Sequence, residues 1–234
     1  MGKKPKPHEL RERATRVRLN LERNVQCKQL LPDRHLFVTE GTKTEPFYLY
    51  GLINCICNKL GDSAKSQFNV IGEGDNTLNL LSRAESYLQN SSDYYQHVWI
   101  IYDKDDFPAD HFDTVAIRCE ALNQRFQGQG RDLHFHAIWS NECFELWLLI
   151  HFDFLQANIS REDYKSKLSA HLQSLNLGAY EKNRTDIFQL LYPRLNFAIK
   201  NAQRLEKANS GKTPSQSAPG TKLHELLIEL KPYL

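Results

Sequence analysis

Short apolar runs punctuate the first half of the chain, and most end on a turn signal. Leu36-Phe37-Val38 runs into Thr39-Glu40-Gly41, and Phe68-Asn69-Val70-Ile71 closes on Gly72-Glu73-Gly74-Asp75. His97-Val98-Trp99-Ile100-Ile101-Tyr102 leads straight into Asp103-Lys104-Asp105-Asp106. That third run is apolar without alternation, as a central strand covered on both faces requires. Leu133 to Trp139 reads as a fourth strand. Between the runs the period lengthens. Residues 44–60, 77–90 and 111–126 predict helices, the first with Phe47, Leu49, Tyr50, Ile53 and Ile56 on its apolar side. Alternating strands and helices imply an α/β fold: a mainly parallel, four-stranded sheet with right-handed crossovers, flanked by helices.

Past Trp139 the pattern is helical. Residues 143–156, 161–175, 184–207 and 221–231 predict further helices, and small polar residues at 210–220 predict a mobile loop. The expected organisation is a basic arm or helix over 1–30, an α/β core over 31–156 and a helical C-terminal region over 157–234.

Charge sharpens this division. The 234 residues carry a net charge of +2. Residues 1–30 hold nine basic side chains against three acidic ones, a net of +6, which leaves −4 for the remainder. A basic arm on an acidic body suits a phosphate backbone, with Lys3, Lys4, Arg11, Arg16 and Arg18 as the expected contacts. A solvated tail, or a helix that docks on a partner protein, accounts for the same charges. Five cysteines without a C-x-x-C pair argue for buried free thiols in a reducing compartment, and against a structural zinc site. No apolar run approaches the roughly 20 residues of a membrane span, and the first residues lack the apolar stretch of a secretory signal. The expected location is the cytoplasm.

The candidate chemistry sits at strand ends. In an open parallel sheet the carboxyl ends of the strands share one edge, and ligands bind along it. Glu40 follows the first strand and Asp103 the third, so topology alone brings them to one rim. Carboxylates so placed suit a hard divalent cation, Mg²⁺ or Mn²⁺, set against a phosphate. Asp105, two residues on, is positioned to converge with Asp103, and Asp106 either joins them or faces solvent. Lys43 and Lys182 are candidates to meet phosphate charge. Glu145, early in its helix, is a further candidate, on a face expected to be shared with Asn141. His134, His136 and His151 fit satisfied sheet histidines better than a zinc site. Trp99, Trp139 and Trp147 fall in expected core elements. A haloacid-dehalogenase phosphatase is disfavoured by Phe107 at the fifth position of its D-x-D-x-[TV] motif, and a glycosyltransferase by the absence of a nucleotide site.

Three segments carry a resemblance. Phe37-Val38-Thr39-Glu40-Gly41-Thr42-Lys43-Thr44-Glu45-Pro46-Phe47-Tyr48 resembles the opening motif of the RloB-like family. Trp99 to Phe107 resembles its second motif, and Ser140 to Phe152 its third. Where the family's third motif has proline after asparagine, this chain has Glu142. Ala218-Pro219-Gly220-Thr221 loosely matches a C-terminal Asn-Pro-Ser-Thr motif. The resemblance implies a Toprim-like fold, with Glu40, Asp103 and Asp105 as its Mg²⁺ centre. It also implies a nuclease subunit encoded beside an ABC/AAA-type ATPase and acting in phage defence or abortive infection, with related Toprim effectors cutting tRNA. A non-catalytic Toprim scaffold that regulates a partner ATPase is the alternative. Substrate identity, RNA or DNA, and assembly into homo-oligomers stay open.

Overall fold

The computed structural model describes residues 31–72, 74 and 77–234. Lys3, Lys4, Arg11, Arg16 and Arg18 lie outside the described residues. Strands β1 (His35–Thr39), β2 (Phe68–Gly72), β3 (His97–Asp103) and β4 (His134–Asn141) form a parallel sheet in the order β2-β1-β3-β4. A fifth strand not anticipated from the sequence, β5 (Gly220–Thr221), pairs antiparallel with the end of β4 through Ser140 and Asn141. The architecture is α/β, with a mostly parallel five-stranded sheet flanked by helices, and is consistent with a Toprim-like fold.

Period-2 alternation in the central strands feeds two cores. Leu36, Val38, Val98, Ile100 and Tyr102 pack on one face with helices α2 (Thr77–Asn90) and α3 (Ala109–Gly128). Phe37, Trp99, Ile101 and Ile138 pack on the other with α1 (Thr44–Leu60) and the C-terminal helices. Covering on both faces is why β3 reads as an unbroken apolar run. The three tryptophans are buried packing residues.

The C-terminal half departs from expectation in detail. The helix expected over 143–156 is only α4 (Glu145–Leu149). The Ile150 carbonyl just beyond it accepts from Asn201 Nδ2 at 2.9 Å, a tertiary bond in place of a further helical turn. α5 (Arg161–Ser174) starts on a Ser160–Asp163 capping box. The stretch expected as one helix over 184–207 is α6 (Ile187–Leu191), a 3₁₀ turn (Tyr192–Arg194) and α7 (Leu195–Ala208). Pro193 has no N–H to offer the preceding turn, so it divides the run. α8 (Leu223–Leu230) is shorter than expected because β5 takes its first residue.

Residues 210–220 are tied down at several points. Ser215 donates its N–H and hydroxyl to Asp113 at 2.7 Å each, and Asn141 Nδ2 donates to the Pro214 and Ser215 carbonyls. A Cβ on Gly220 would lie 2.4 Å from the Ser217 carbonyl oxygen, so β5 needs glycine there. The C-terminal helices share one core with the sheet, and Pro32–Leu234 is a single compact unit. Among the described residues, no helix is long and apolar enough to cross a membrane, and Cys55, Cys57, Cys119 and Cys143 are free thiols.

Candidate active site

β1 and β3 are neighbours and parallel, so the residues that follow them arrive at the same edge. The Glu40 N–H extends the pairing by donating to the Ile101 carbonyl at 3.0 Å. Its side chain turns to the neighbouring strand, where the Asp103 N–H donates to Glu40 Oε2 at 3.2 Å. Asp103 Oδ2 in turn accepts from the Phe144 N–H at 3.0 Å, which joins the end of β3 to the approach of α4. The two acids expected to share a rim do so.

Around them lies a cleft of about 240 Å³. Glu145, the first residue of α4, is buried in its wall. Its Oε1 accepts from the Tyr180 hydroxyl at 3.1 Å, and Lys182 Nζ stands 3.9 Å away. Thr44 Oγ1 donates to the Lys182 carbonyl at 3.0 Å, which anchors the backbone of that lysine to α1. Lys43 immediately precedes α1 and is exposed at the cleft.

Glu45, quoted in a motif but not singled out by sequence reasoning, belongs to this cleft as well. It sits in the first turn of α1, only 8% exposed, against the backbone of Gly41. A Cβ at Gly41 would lie 2.3 Å from Glu45 Oε2, so the glycine after Glu40 lets the second carboxylate in. The signal was present: an acid buried in the first turn of a helix whose entry already carries Glu40.

Burial and neighbouring carboxylates dominate the electrostatics of Asp103 and Glu45. Asp103 is held well above the usual carboxylate range, first by burial and then by the charges of Glu45 and Glu145, with Glu40 adding to them; the Phe144 N–H opposes the rise. Glu45 is pushed up to about 7, chiefly by burial, with Glu145 and Glu40 also raising it and Lys182 opposing. Burial likewise pushes the Cys143 thiol up, beside Glu145 and Asp103.

The remaining candidates divide. Asp105 lines the cleft, but its carboxylate is ion-paired with Arg161 at the start of α5. Asp106 is exposed and does not line the cleft. Lys104 turns to the Phe107 carbonyl instead. Asn141 and Glu145 do not share a helix face, because Asn141 ends β4 and faces the 210–220 segment. His134 pairs with Asp132, His136 with His97, and His151 with the Trp147 carbonyl, so the three do not converge.

The acids suit a hard divalent cation by donor type: all offer carboxylate oxygen. They do not close into a tight shell. Among the described residues, only Glu206, His224 and Glu225 bring three potential ligand atoms within 4.8 Å of one another. That group is already served, since the Lys222 ammonium bonds both Glu206 and Glu225. The wider spacing in the cleft fits a cation such as Mg²⁺, which keeps several waters and takes one or two carboxylates directly.

With this geometry in hand, the comparison with known families is informative. A family model described as RloB-like protein matches residues 35–230. The chain belongs to the RloB-like family. The match runs from β1 through α8 and so takes in every residue of the acidic cleft as well as β5. No curated protein matches the chain. The Asn141–Glu142 peptide is cis.

Proposed function

We propose that this RloB-like protein is the metal-dependent nuclease subunit of a bacterial anti-phage defence system. It hydrolyses phosphodiester bonds of RNA, with tRNA the first candidate, or of DNA, in the cytoplasm and together with an ABC/AAA-type ATPase. The observation that carries this reading is the gathering of Glu40, Asp103, Glu45 and Glu145 in one cleft, where burial and neighbouring carboxylates hold Asp103 well above the usual carboxylate range. Structural acids are ordinarily paired or hydrogen-bonded; buried acids that raise each other's pKa mark a place where charge is to be supplied.

Glu40 and Asp103 would hold a Mg²⁺ or Mn²⁺ ion, with Glu45 and Glu145 completing its surroundings directly or through water. Such an ion polarises a phosphoryl oxygen and activates water at neutral pH. The chain's own groups supply the rest. Lys43 and Lys182, on the rim, bind the phosphate of the substrate backbone. Tyr180 orients Glu145, and Thr44 fixes the segment that carries Lys182. Without metal, burial and the neighbouring carboxylates raise the Glu45 carboxyl to about 7, and a bound cation would favour its ionised form.

Induced expression of the wild type and of Glu40→Ala beside the ATPase, followed by sequencing of cellular RNA and DNA, tests the reading. New ends are expected with the wild type alone. Intact nucleic acid in both, or equal cleavage by the variant, would sink it.

A further inference from the structure

We propose that Arg184 is the positioning residue that sets Tyr180 and Lys182 in the wall of the acidic cleft. The inference rests on the reading of that cleft as the reactive site, and it names a residue the reaction needs that does not itself line the cleft.

Tyr180 and Lys182 reach Glu145 from a segment without periodic support. Residues 175–186 form neither helix nor strand between the end of α5 at Ser174 and the start of α6 at Ile187. Asn176 and Gly178 take left-handed φ values of 59° and 79°. The carbonyls of such a stretch have no ladder to join, so side chains or water must hold them.

Arg184 holds them from within the segment. Its Nη1 donates to the Leu177 carbonyl at 2.6 Å and to the Ala179 carbonyl, immediately before Tyr180, at 3.3 Å. Its Nε and Nη2 donate to the two oxygens of Asp186 at 2.8 and 3.1 Å. One planar guanidinium therefore ties the stretch before Tyr180 to the residue before α6. A lysine ammonium has no such fork and cannot serve both sides in the same way.

The far side of this clamp is rigid. Asp186 stands at the cap position of α6, yet its carboxylate bonds Arg184 and not the helix N–H groups. α6 is set closely on α1: the Phe188 ring meets Tyr48 edge-on at 5.2 Å, and a Cβ on Gly51 would lie 2.5 Å from the Phe188 Cβ. Contacts thus run from the α1 core through α6 and Asp186 to Arg184, and on to the carbonyl before Tyr180. Beyond it the Tyr180 hydroxyl bonds Glu145 at 3.1 Å, and Lys182 Nζ stands 3.9 Å from the same carboxylate. Two other ties fix single points: the Tyr180 N–H donates to Ser169 Oγ at 3.1 Å, and Thr44 holds the Lys182 carbonyl. Arg184 sets the path between α5 and those points.

The test is a pair of mutant cycles in the full-length chain. With the ATPase present, Arg184→Gln and Arg184→Lys should each lower metal-dependent cleavage roughly tenfold, the scale of losing an outer support of a metal site. In a chain already carrying Tyr180→Phe and Lys182→Met, Arg184→Gln should cost no further cleavage, because the groups it positions are gone. A merely structural arginine predicts the same fractional loss in both backgrounds, and that result would overturn the assignment. The second cycle needs no activity. Tyr180→Phe should lower the urea midpoint of the wild type and leave that of Arg184→Gln unchanged. Equal shifts would show that Ser169, Thr44 and packing place Tyr180 without the arginine, and would likewise overturn it. Asp186→Asn, which loosens the guanidinium without removing it, replaces Arg184→Gln if that chain fails to fold by circular dichroism. A wild type that cleaves nothing would sink the nuclease reading, and the urea cycle would still decide the role of Arg184.

Discussion

The two ends of the sheet gather titratable groups in opposite ways. At the carboxyl end, Glu40, Glu45, Asp103 and Glu145 crowd into a cleft where the ionisation of Asp103 and Glu45 is pushed upward. At the amino end, His35, His97 and His134 occupy matched positions on three adjacent strands, with Trp99 and His136 in the next row. Their rings stack, with centroids 4.8 Å apart for His35 and His97 and 3.9 Å for Trp99 and His136. Trp99 Nε1 donates to His35 Nδ1 at 3.0 Å, and His97 and His136 share a 3.0 Å bond. Burial first, and then the neighbouring imidazoles, hold His35 and His136 down to about 3, so these two imidazoles are neutral, and each has a hydrogen-bond partner within the stack. Parallel topology brings like residues together at both ends. Whether the result is a site or a piece of core depends on whether the groups can satisfy each other. Imidazoles can, as donor and acceptor; carboxylates cannot.

The comparison breaks most sharply at Asp103. Asp103→Ala should lower metal-dependent cleavage by at least about a hundredfold, the scale of losing charge stabilisation at a reacting centre. It should also abolish the rise in melting temperature that Mn²⁺ gives the wild type. If the Mn²⁺-induced rise persists in the variant, the acidic end is not a metal site.

The amino end should dominate acid sensitivity. His35 and His136 stay neutral in the folded chain down to about pH 3, whereas the unfolded chain takes up protons near 6.5. Their contribution is therefore complete above 6.5 and lost progressively as pH falls toward 3. A loss on the order of 2 kcal/mol is expected between pH 6.5 and 5, after discounting for the partial exposure of His136. His35→Phe should flatten that limb, at a cost of about 1–2 kcal/mol at pH 7 for the unpaired Trp99 N–H. Urea unfolding at several pH values measures both, and an unchanged slope would refute the neutral stack.

Glu45 has the opposite sign. Its carboxyl is raised to about 7, so the folded chain holds the proton where the unfolded one has released it. The penalty is absent below the ordinary carboxylate value near 4.5 and complete above 7, and stability falls as pH rises through that window. Metal-free Glu45→Gln should therefore gain about 1–2 kcal/mol at pH 8 and nothing near pH 4, while binding Mn²⁺ more weakly. A variant less stable at pH 8 would show that Glu45 is a satisfied core acid. The smallest change expected is from Tyr180→Phe, which removes one bond to Glu145 and should cost about 1 kcal/mol or less in unfolding. A larger effect on cleavage than on stability would confirm that Tyr180 orients Glu145.

Local pattern carried much of this molecule. The first four strands and the helices between them were legible because each is a short run with its own period and its own turn residues. Glu40 and Asp103 were legible because strand ends in a parallel sheet share an edge. What escaped were features set by partners distant in sequence. β5 is two residues that exist as a strand only because β4 is beside them. Arg161 meets Asp105 across 56 positions of chain, and nothing near either residue announces the other.

The sequence by itself determined the α/β order, the family and the two acids at the centre, because these follow from periodicity, parallel topology and motif. Only the tertiary structure decided that Glu45 enters the cleft, that Asp106 stays outside it and that α4 stops at Leu149. Those outcomes depend on which side chains meet when the C-terminal helices close over the sheet. A contact between distant positions leaves no local periodicity from which to read it.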